Sequence, residues 1–205
     1  MNLKKQLFLY KNKRLIKIKF NNNIMENLIH IKILKFFLDN PYYEVYLREL
    51  AKKLKLSPFA AKKYLDLLLK ENLITEERKA NLRYFKANIS NLFFRYMKIS
   101  FSINILLKSG IIKFLKDNVE NVSSIVLFGS MAKGEDDKNS DIDIVVIGKE
   151  KSIDLREFEA KFGKEINLHV FSWSKWNKEA DHNRAFYFDI IAYGIPLYGE
   201  LPIVK

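Results

Sequence analysis

Apolar residues in the first half of the chain recur mostly at helical spacing. Leu28, Ile31, Leu34 and Leu38 fall on one face of a segment running from Ile24 to Leu38, and Asn40-Pro41 supplies its stop. Tyr42 to Leu47, aromatic and β-branched, reads as a short strand, Arg48 to Leu54 as a short amphipathic helix, and Lys55-Leu56 as a turn. Ser57-Pro58 opens the next helix with a hydroxyl N-cap and a proline at the first helical position, and that helix is expected to run to about Glu71. Leu73-Ile74-Thr75, the polar stretch Glu76 to Asn81 and Leu82 to Phe85 then predict strand, turn and strand. Helix, strand, helix, turn, helix and β-wing is the order of a winged helix-turn-helix. Upstream of it, residues 8–20 alternate apolar and basic side chains around Asn12, which predicts a hairpin with one cationic face.

Asn91 to Leu107 is apolar, rich in aromatic residues and poor in charge. It reads as a connector helix whose exposed face packs on a neighbouring domain or on a second protomer, as in a homodimer. From Gly110 the pattern changes. Helix (Ile111 to Asp117), strand (Ser124 to Phe128), glycine turn, strand (Asp141 to Ile147), helix (Leu155 to Phe162), strand (Ile166 to Phe171) and helix (Asn183 to Tyr193) predict a small mixed α/β domain with a minimum of three strands. The expected fold class is therefore α+β. Its parts are a basic hairpin over 1–23, a winged helix-turn-helix over 24–88, a connector helix over 89–108 and a second domain over 109–205.

Charge supports the division. Residues 1–108 carry 23 Lys or Arg against 8 Asp or Glu, a net of +15, while the remainder carries 13 against 16, a net of −3. A basic character confined to one half is expected when that half faces a polyanion, so DNA is the expected partner of the N-terminal module. Its contacts would come from Ser57, Phe59, Lys62 and Lys63 on the second helix of the turn, and from Arg78, Lys79 and Arg83 on the wing. The other reading of the same lysines is the solvated face of a protein-interaction module. The absence of cysteine removes disulfides and thiolate metal sites. The longest apolar runs are broken by lysines, so no membrane segment is expected, and the expected location is cytoplasmic.

The chemistry concentrates in Leu127-Phe128-Gly129-Ser130-Met131-Ala132-Lys133-Gly134, followed after five residues by Ser140-Asp141-Ile142-Asp143-Ile144-Val145-Val146. A strand that ends in Gly-Ser and runs into a helix presents free backbone N–H groups and a hydroxyl where a phosphate can bind. Asp141 and Asp143 lie two apart in an apolar strand, so both carboxylates should emerge on one face while Ile142, Ile144 and Val146 enter the core. Two adjacent carboxylates repel unless a cation lies between them, and Mg2+ (or Mn2+) suits hard oxygen ligands together with substrate phosphates. The reaction class this implies is in-line displacement at phosphorus.

This stretch resembles the signature of the DNA polymerase beta-like nucleotidyltransferase superfamily, in particular its minimal nucleotidyltransferase branch, over about Gly110 to Gly199, with Gly194-Ile195-Pro196-Leu197-Tyr198-Gly199 resembling the end of such domains. The resemblance implies that Gly129 and Ser130, with Lys133 and Ser140 beside them, bind a nucleoside triphosphate (NTP), ATP foremost, and that Asp141 and Asp143 bind the metal and serve as catalytic residues. It also implies a third acidic residue on a later strand, where this chain has Asn167. An amide cannot act as a base, so the change weakens a second metal site and removes the usual activator of the attacking hydroxyl. Glu165 and His169 flank Asn167 at period two and are the candidate substitutes; the plainer reading makes them a surface charge and a packed strand residue.

The function expected from the sequence is a winged-helix DNA-binding protein with a Mg-dependent nucleotidyltransferase-type domain, transferring a nucleotidyl group to a hydroxyl acceptor. The alternative is a nucleotide-sensing transcription regulator of weak or no activity, since fusions of this kind with Asn at the third position resemble predicted prokaryotic regulators. A variant is the antitoxin of a pair with a HEPN-type toxin, the partner with which minimal nucleotidyltransferases are associated.

Overall fold

A computed structural model describes residues 24–204; the hairpin expected over residues 1–23 lies outside the described residues. The N-terminal part begins with helix α1 (Ile24–Asp39), a two-residue strand β1 (Val45–Tyr46), helix α2 (Leu47–Leu54) and helix α3 (Pro58–Lys70). Ser57 caps α3 as its sequence suggests: the Ser57 hydroxyl accepts a hydrogen bond from the Ala60 amide at 3.1 Å, with Pro58 at the first helical position. Strands β2 (Ile74–Lys79) and β3 (Leu82–Ala87) follow as an antiparallel hairpin, and β1 pairs with the outer side of β3. The polar run read as a turn is therefore mostly strand. Only Ala80 and Asn81 lie between the paired residues, with Ala80 at φ 51°. Glu76 to Lys79 look loop-like because this end of the hairpin projects into solvent and needs no apolar side chains.

Ile33, Phe37, Leu50, Leu65, Leu68, Phe85 and Phe94 form the core of this part. Each fully buried aliphatic or aromatic side chain of this kind contributes roughly 1.5–3 kcal/mol. Helix α4 (Leu92–Ser109), capped by the Asn91 side chain, leads away from it. Its buried positions recur every fourth residue, Phe94, Lys98, Ser102 and Leu106, so a lysine and a serine stand in the stripe that faces inward.

The C-terminal part contains α5 (Ile111–Asn118), β4 (Ser124–Phe128), the one-turn helix α6 (Gly129–Lys133), β5 (Ile142–Ile147), α7 (Arg156–Phe162), β6 (Ile166–Phe171), α8 (Trp173–His182), α9 (Arg184–Tyr193) and β7 (Ile195–Gly199). The strands form one sheet in the order β6-β5-β4-β7, with β5 parallel to β6 and the β4 pairings antiparallel, so the architecture is α+β with a small mixed sheet. Strand β7 and helix α8 stand beyond the elements that the sequence pattern predicts. Pro196 suppresses the strand pattern of β7, and the edge position of that strand is what tolerates a residue without an N–H. Both faces of the central strands are covered. Ile142, Ile144 and Val146 face Leu106, Ile111, Leu115 and Ile125, whereas Val145 and Ile147 face Trp176, Tyr187 and Ile190 of α8 and α9.

Candidate nucleotide and metal site

Asp141, just ahead of β5, and Asp143, its second residue, are half-buried and share the sheet face that continues into Val145 and Ile147. Asn167 stands beside Asp143 in the parallel β5–β6 register. Its amide donates to Asp141 Oδ2 at 3.2 Å and to Asp143 Oδ1 at 3.0 Å. A single nitrogen within reach of both carboxylates means that the two acids converge. The neutral amide holds them together without adding charge, whereas a third carboxylate would add repulsion to the pair.

The Gly-Ser turn abuts this pair from the opposite strand. Phe128 pairs with Asp143 across β4 and β5, and a Cβ on Gly129 would fall 2.1 Å from Asp143 Oδ2. Gly129 also has φ +69°, so both its backbone and its neighbour require glycine. Helix α6 after it has only five residues, too few for a substantial macrodipole. Anion binding here would therefore rest on unpaired backbone N–H groups and the half-buried Ser130 side chain. Two converging carboxylates beside a turn that opens a helix are the donor types that suit a Mg2+ or Mn2+ ion carrying a polyphosphate.

The remaining expected site residues fall in different surroundings. Lys133 is engaged by Asp189 of α9 at 2.5 Å and lies 5.0 Å from the Tyr193 ring centroid. Ser140 braces its own loop, accepting from the Asp137 amide at 2.9 Å and donating to Asp137 Oδ1 at 3.1 Å. Neither Glu165 nor His169 hydrogen-bonds Asp141 or Asp143 among the described residues. His169 instead joins an aromatic cluster, with ring centroids 5.5 Å from Phe186, 5.9 Å from Phe128 and 6.2 Å from Phe171.

The loop after α6 is gripped by the N-terminal half, which the sequence did not reveal. Arg95 donates to the Lys133 carbonyl and pairs with Glu135, and Tyr42 donates to the Glu135 carbonyl at 2.8 Å. Lys98 Nζ lies 3.0 Å from Asp136 Oδ1 with both side chains nearly inaccessible, and donates to the Leu38 carbonyl at 2.8 Å. The Lys98–Asp136 contact has ion-pair distance but not hydrogen-bond geometry, so Asp136 Oδ1 is held by charge alone. Lys164, 3.9 Å from Asp136 Oδ2, has its ammonium pKa pushed down by burial. Lys98, Asp136, Lys164 and Ile142 line a cavity of about 480 Å³; Ile142 places it on the opposite sheet face from Asp141 and Asp143.

On the N-terminal part, Phe59 is 81% exposed and Lys62 is exposed, on the outer side of α3. Lys63 stacks its ammonium 5.5 Å from the Tyr64 ring. On the hairpin, Arg83 pairs with Glu76 at 2.6 Å and Asp66 at 3.1 Å, and Lys79 with Glu44 at 2.5 Å. Arg78 is 80% exposed and only 3.7 Å from Glu76. All three expected wing cations thus lie within ion-pair distance of carboxylates of the chain itself, Arg78 the most loosely.

Residues 108–194 match the family model of the nucleotidyltransferase domain, so this stretch is a nucleotidyltransferase-type domain. No curated protein matches the chain. Among solved structures, a toxin-antitoxin complex with AMP-PNP is 23% identical with a TM-score of 0.35, covering 45% of this chain and 73% of that one. A mutant of the toxin-antitoxin MntA-HpeT is 20% identical with a TM-score of 0.34, covering 45% and 72%. Reduced HlyU from Vibrio cholerae N16961 is 20% identical with a TM-score of 0.29, covering 36% of this chain and 82% of that one. Among the described residues no helix is long and apolar enough to cross a membrane.

Proposed function

Taking residues 108–194 as a nucleotidyltransferase-type domain, we propose that the chain binds a nucleoside triphosphate, ATP foremost, with Mg2+ or Mn2+, and transfers its nucleotidyl group slowly to a hydroxyl acceptor, the α–β phosphoanhydride bond breaking and pyrophosphate leaving. The observation that carries this reading is the convergence of Asp141 and Asp143 on one amide nitrogen, directly against Gly129. When bound, the ion supplies neutralisation of the phosphate charge and of the two carboxylates. Asp141 and Asp143 would hold it, and the Gly129–Ser130 turn would hold the phosphates. Asn167 takes no proton from the attacking hydroxyl, so that proton leaves to solvent or to a substrate phosphate oxygen, and the rate is low.

The test is incorporation of a label from an α-labelled nucleotide into a panel of protein, small-molecule and RNA hydroxyls, a HEPN-type toxin included. Metal-dependent labelling that Asp141→Ala and Asp143→Ala each reduce by about 100-fold or more is the expected result, the size usual for groups acting at the transferring phosphate. Metal-dependent nucleotide binding without labelling of any acceptor would leave a nucleotide sensor in place of a transferase, a reading that Asn167 at the third position favours.

We further propose that residues 24–88 act as a winged helix that presents α3 to DNA, through Ser57, Phe59, Lys62 and Lys63, with Arg78 the wing cation least engaged by carboxylates. The excess positive charge of residues 1–108 supports this reading. Unchanged affinity for duplex DNA after reversing the charge of Lys62, Lys63 and Arg83 would remove it.

A further inference from the structure

The sheet face that carries Asp143 and Asn167 does not become aliphatic at once. Phe128 on β4 lies opposite Asp143, and His169 stands two residues beyond Asn167 on β6, opposite Val145. Phe171 continues the same row with its ring parallel to that of His169, the planes 5° apart. Phe186 of α9 closes the group edge-on, 5.4 Å from Phe128 and 5.5 Å from His169. Within this set Phe128 is buried, Phe171 and Phe186 are half-buried, and the His169 ring is exposed.

Phe128 belongs to the core on this face with Trp176, Tyr187 and Ile190, and Phe171 and Phe186 pack against it. The exposed His169 ring is the member of the row that core packing does not require. That ring has no hydrogen-bond partner among the described residues and rests against three phenylalanines, Phe128, Phe171 and Phe186. Its rigidity and its contact with solvent suit a platform for another flat ring. Its position is the second point. It stands two strand positions beyond Asn167, about 6.6 Å along the sheet. In a nucleotide whose phosphates lie at Asp141, Asp143 and Gly129, the base is one ribose away from the α-phosphate, a comparable step.

We propose that His169, backed by Phe171 and Phe186, is the nucleobase platform of this site. It stacks on the base of the NTP, and it is not a metal ligand or a base replacing the third carboxylate. The inference rests on the nucleotide reading above and adds to it the residues that distinguish a nucleotide from a bare polyphosphate. Stacking tolerates any base and favours the larger purine surface, which fits ATP or GTP better than CTP or UTP.

The experiment compares two probes on the full chain with Mg2+ by calorimetry: α,β-methylene-ATP, which carries a base, and inorganic tripolyphosphate, which does not. The wild type should bind the analogue about 10-fold or more tightly than tripolyphosphate. His169→Ala should weaken the analogue by at least about fivefold and leave tripolyphosphate unchanged, in keeping with the value of one base–aromatic stack. His169→Phe should restore the analogue, since it keeps the ring and discards the nitrogens; Phe186→Leu should give a smaller loss in the same direction. An equal loss for both probes in His169→Ala would place His169 at the phosphates or the metal and overturn the platform, as would no loss for either. Failure of the wild type to bind even tripolyphosphate with Mg2+ would bring down the nucleotide reading and the platform with it. Binding of tripolyphosphate with no gain from the base would sink the platform alone.

Discussion

Asn167 is the residue on which the chemistry divides. Its amide bridges Asp141 and Asp143 where a third acid would place three negative charges within hydrogen-bonding distance of one another. Asn167→Asp should therefore lower the melting temperature of the metal-free protein, raise the increment that Mg2+ returns, and increase any labelling activity by supplying a base. A scanning calorimetry titration with and without Mg2+ checks the first two, and an equal Mg2+ increment in both proteins would contradict the account. Gly129 makes a second prediction at this scale. Gly129→Ala meets Asp143 Oδ2 at 2.1 Å and adopts φ +69°, so a loss of about 1–3 kcal/mol in denaturant unfolding is expected, together with loss of nucleotide binding. The motif residues were legible in sequence because glycine, serine and alternate aspartates in an apolar strand leave few other uses. The engagement of Lys133 by Asp189, 56 positions away, had no local signal.

At the scale of elements, α4 joins the two cores through Lys98. Lys98→Ala would leave Asp136 buried with only Lys164 at 3.9 Å, and should cost about 3 kcal/mol, the lower end for breaking a buried pair. The double variant Lys98→Met with Asp136→Leu removes both charges and should recover most of that loss in equilibrium unfolding; additive losses would argue against the pairing. The hairpin β2–β3 responds to acid. Hydrogen bonding to Arg83 holds the Glu76 carboxyl below its ordinary pKa. Its folded value is therefore depressed, so the stabilisation is complete above the unfolded glutamate pKa and is lost as pH falls through the folded value. Amide protection factors in Ile74 to Ala87, which correct for the intrinsic slowing of exchange in acid, should fall on acidification before those of the β4 and β5 core do, by up to about 1 kcal/mol of local stability. Helix α3 could be read in full because Ser57 and Pro58 are local signals. The length of β2 could not, because a solvated hairpin and a polar loop have the same composition.

For the whole molecule, charge and connectivity set the behaviour. The +15 of residues 1–108 against −3 elsewhere predicts that affinity for duplex DNA falls steeply with salt, with a log–log slope of about −0.9 for each phosphate contacted. A salt-independent affinity, measured by fluorescence anisotropy, would indicate that these lysines serve only as a solvated face. Because Arg83 and Lys79 already neutralise carboxylates of the chain, the slope should respond more to Lys62→Glu than to Lys79→Glu. The same loop that connects the Gly-Ser turn to the aspartates is held by Tyr42, Arg95 and Lys98, so the N-terminal half touches the segment between the two parts of the candidate site.

The sequence by itself determined the elements whose signals are local: the N-cap of α3, the two central strands, the Gly129–Ser130 turn, and the two aspartates on one strand face, with a family likeness over residues that the nucleotidyltransferase domain model also matches. Side-chain periodicity and backbone stereochemistry act over a few residues, so these features are written where they occur. Only the tertiary structure decided that Asn167 binds both aspartates, that His169 sits among phenylalanines, that Asp189 takes Lys133 and that Lys98 reaches Asp136. Each of these joins residues from separate elements through sheet order and helix packing, and the free energy that selects them comes from burial and charge pairing summed over the assembled core.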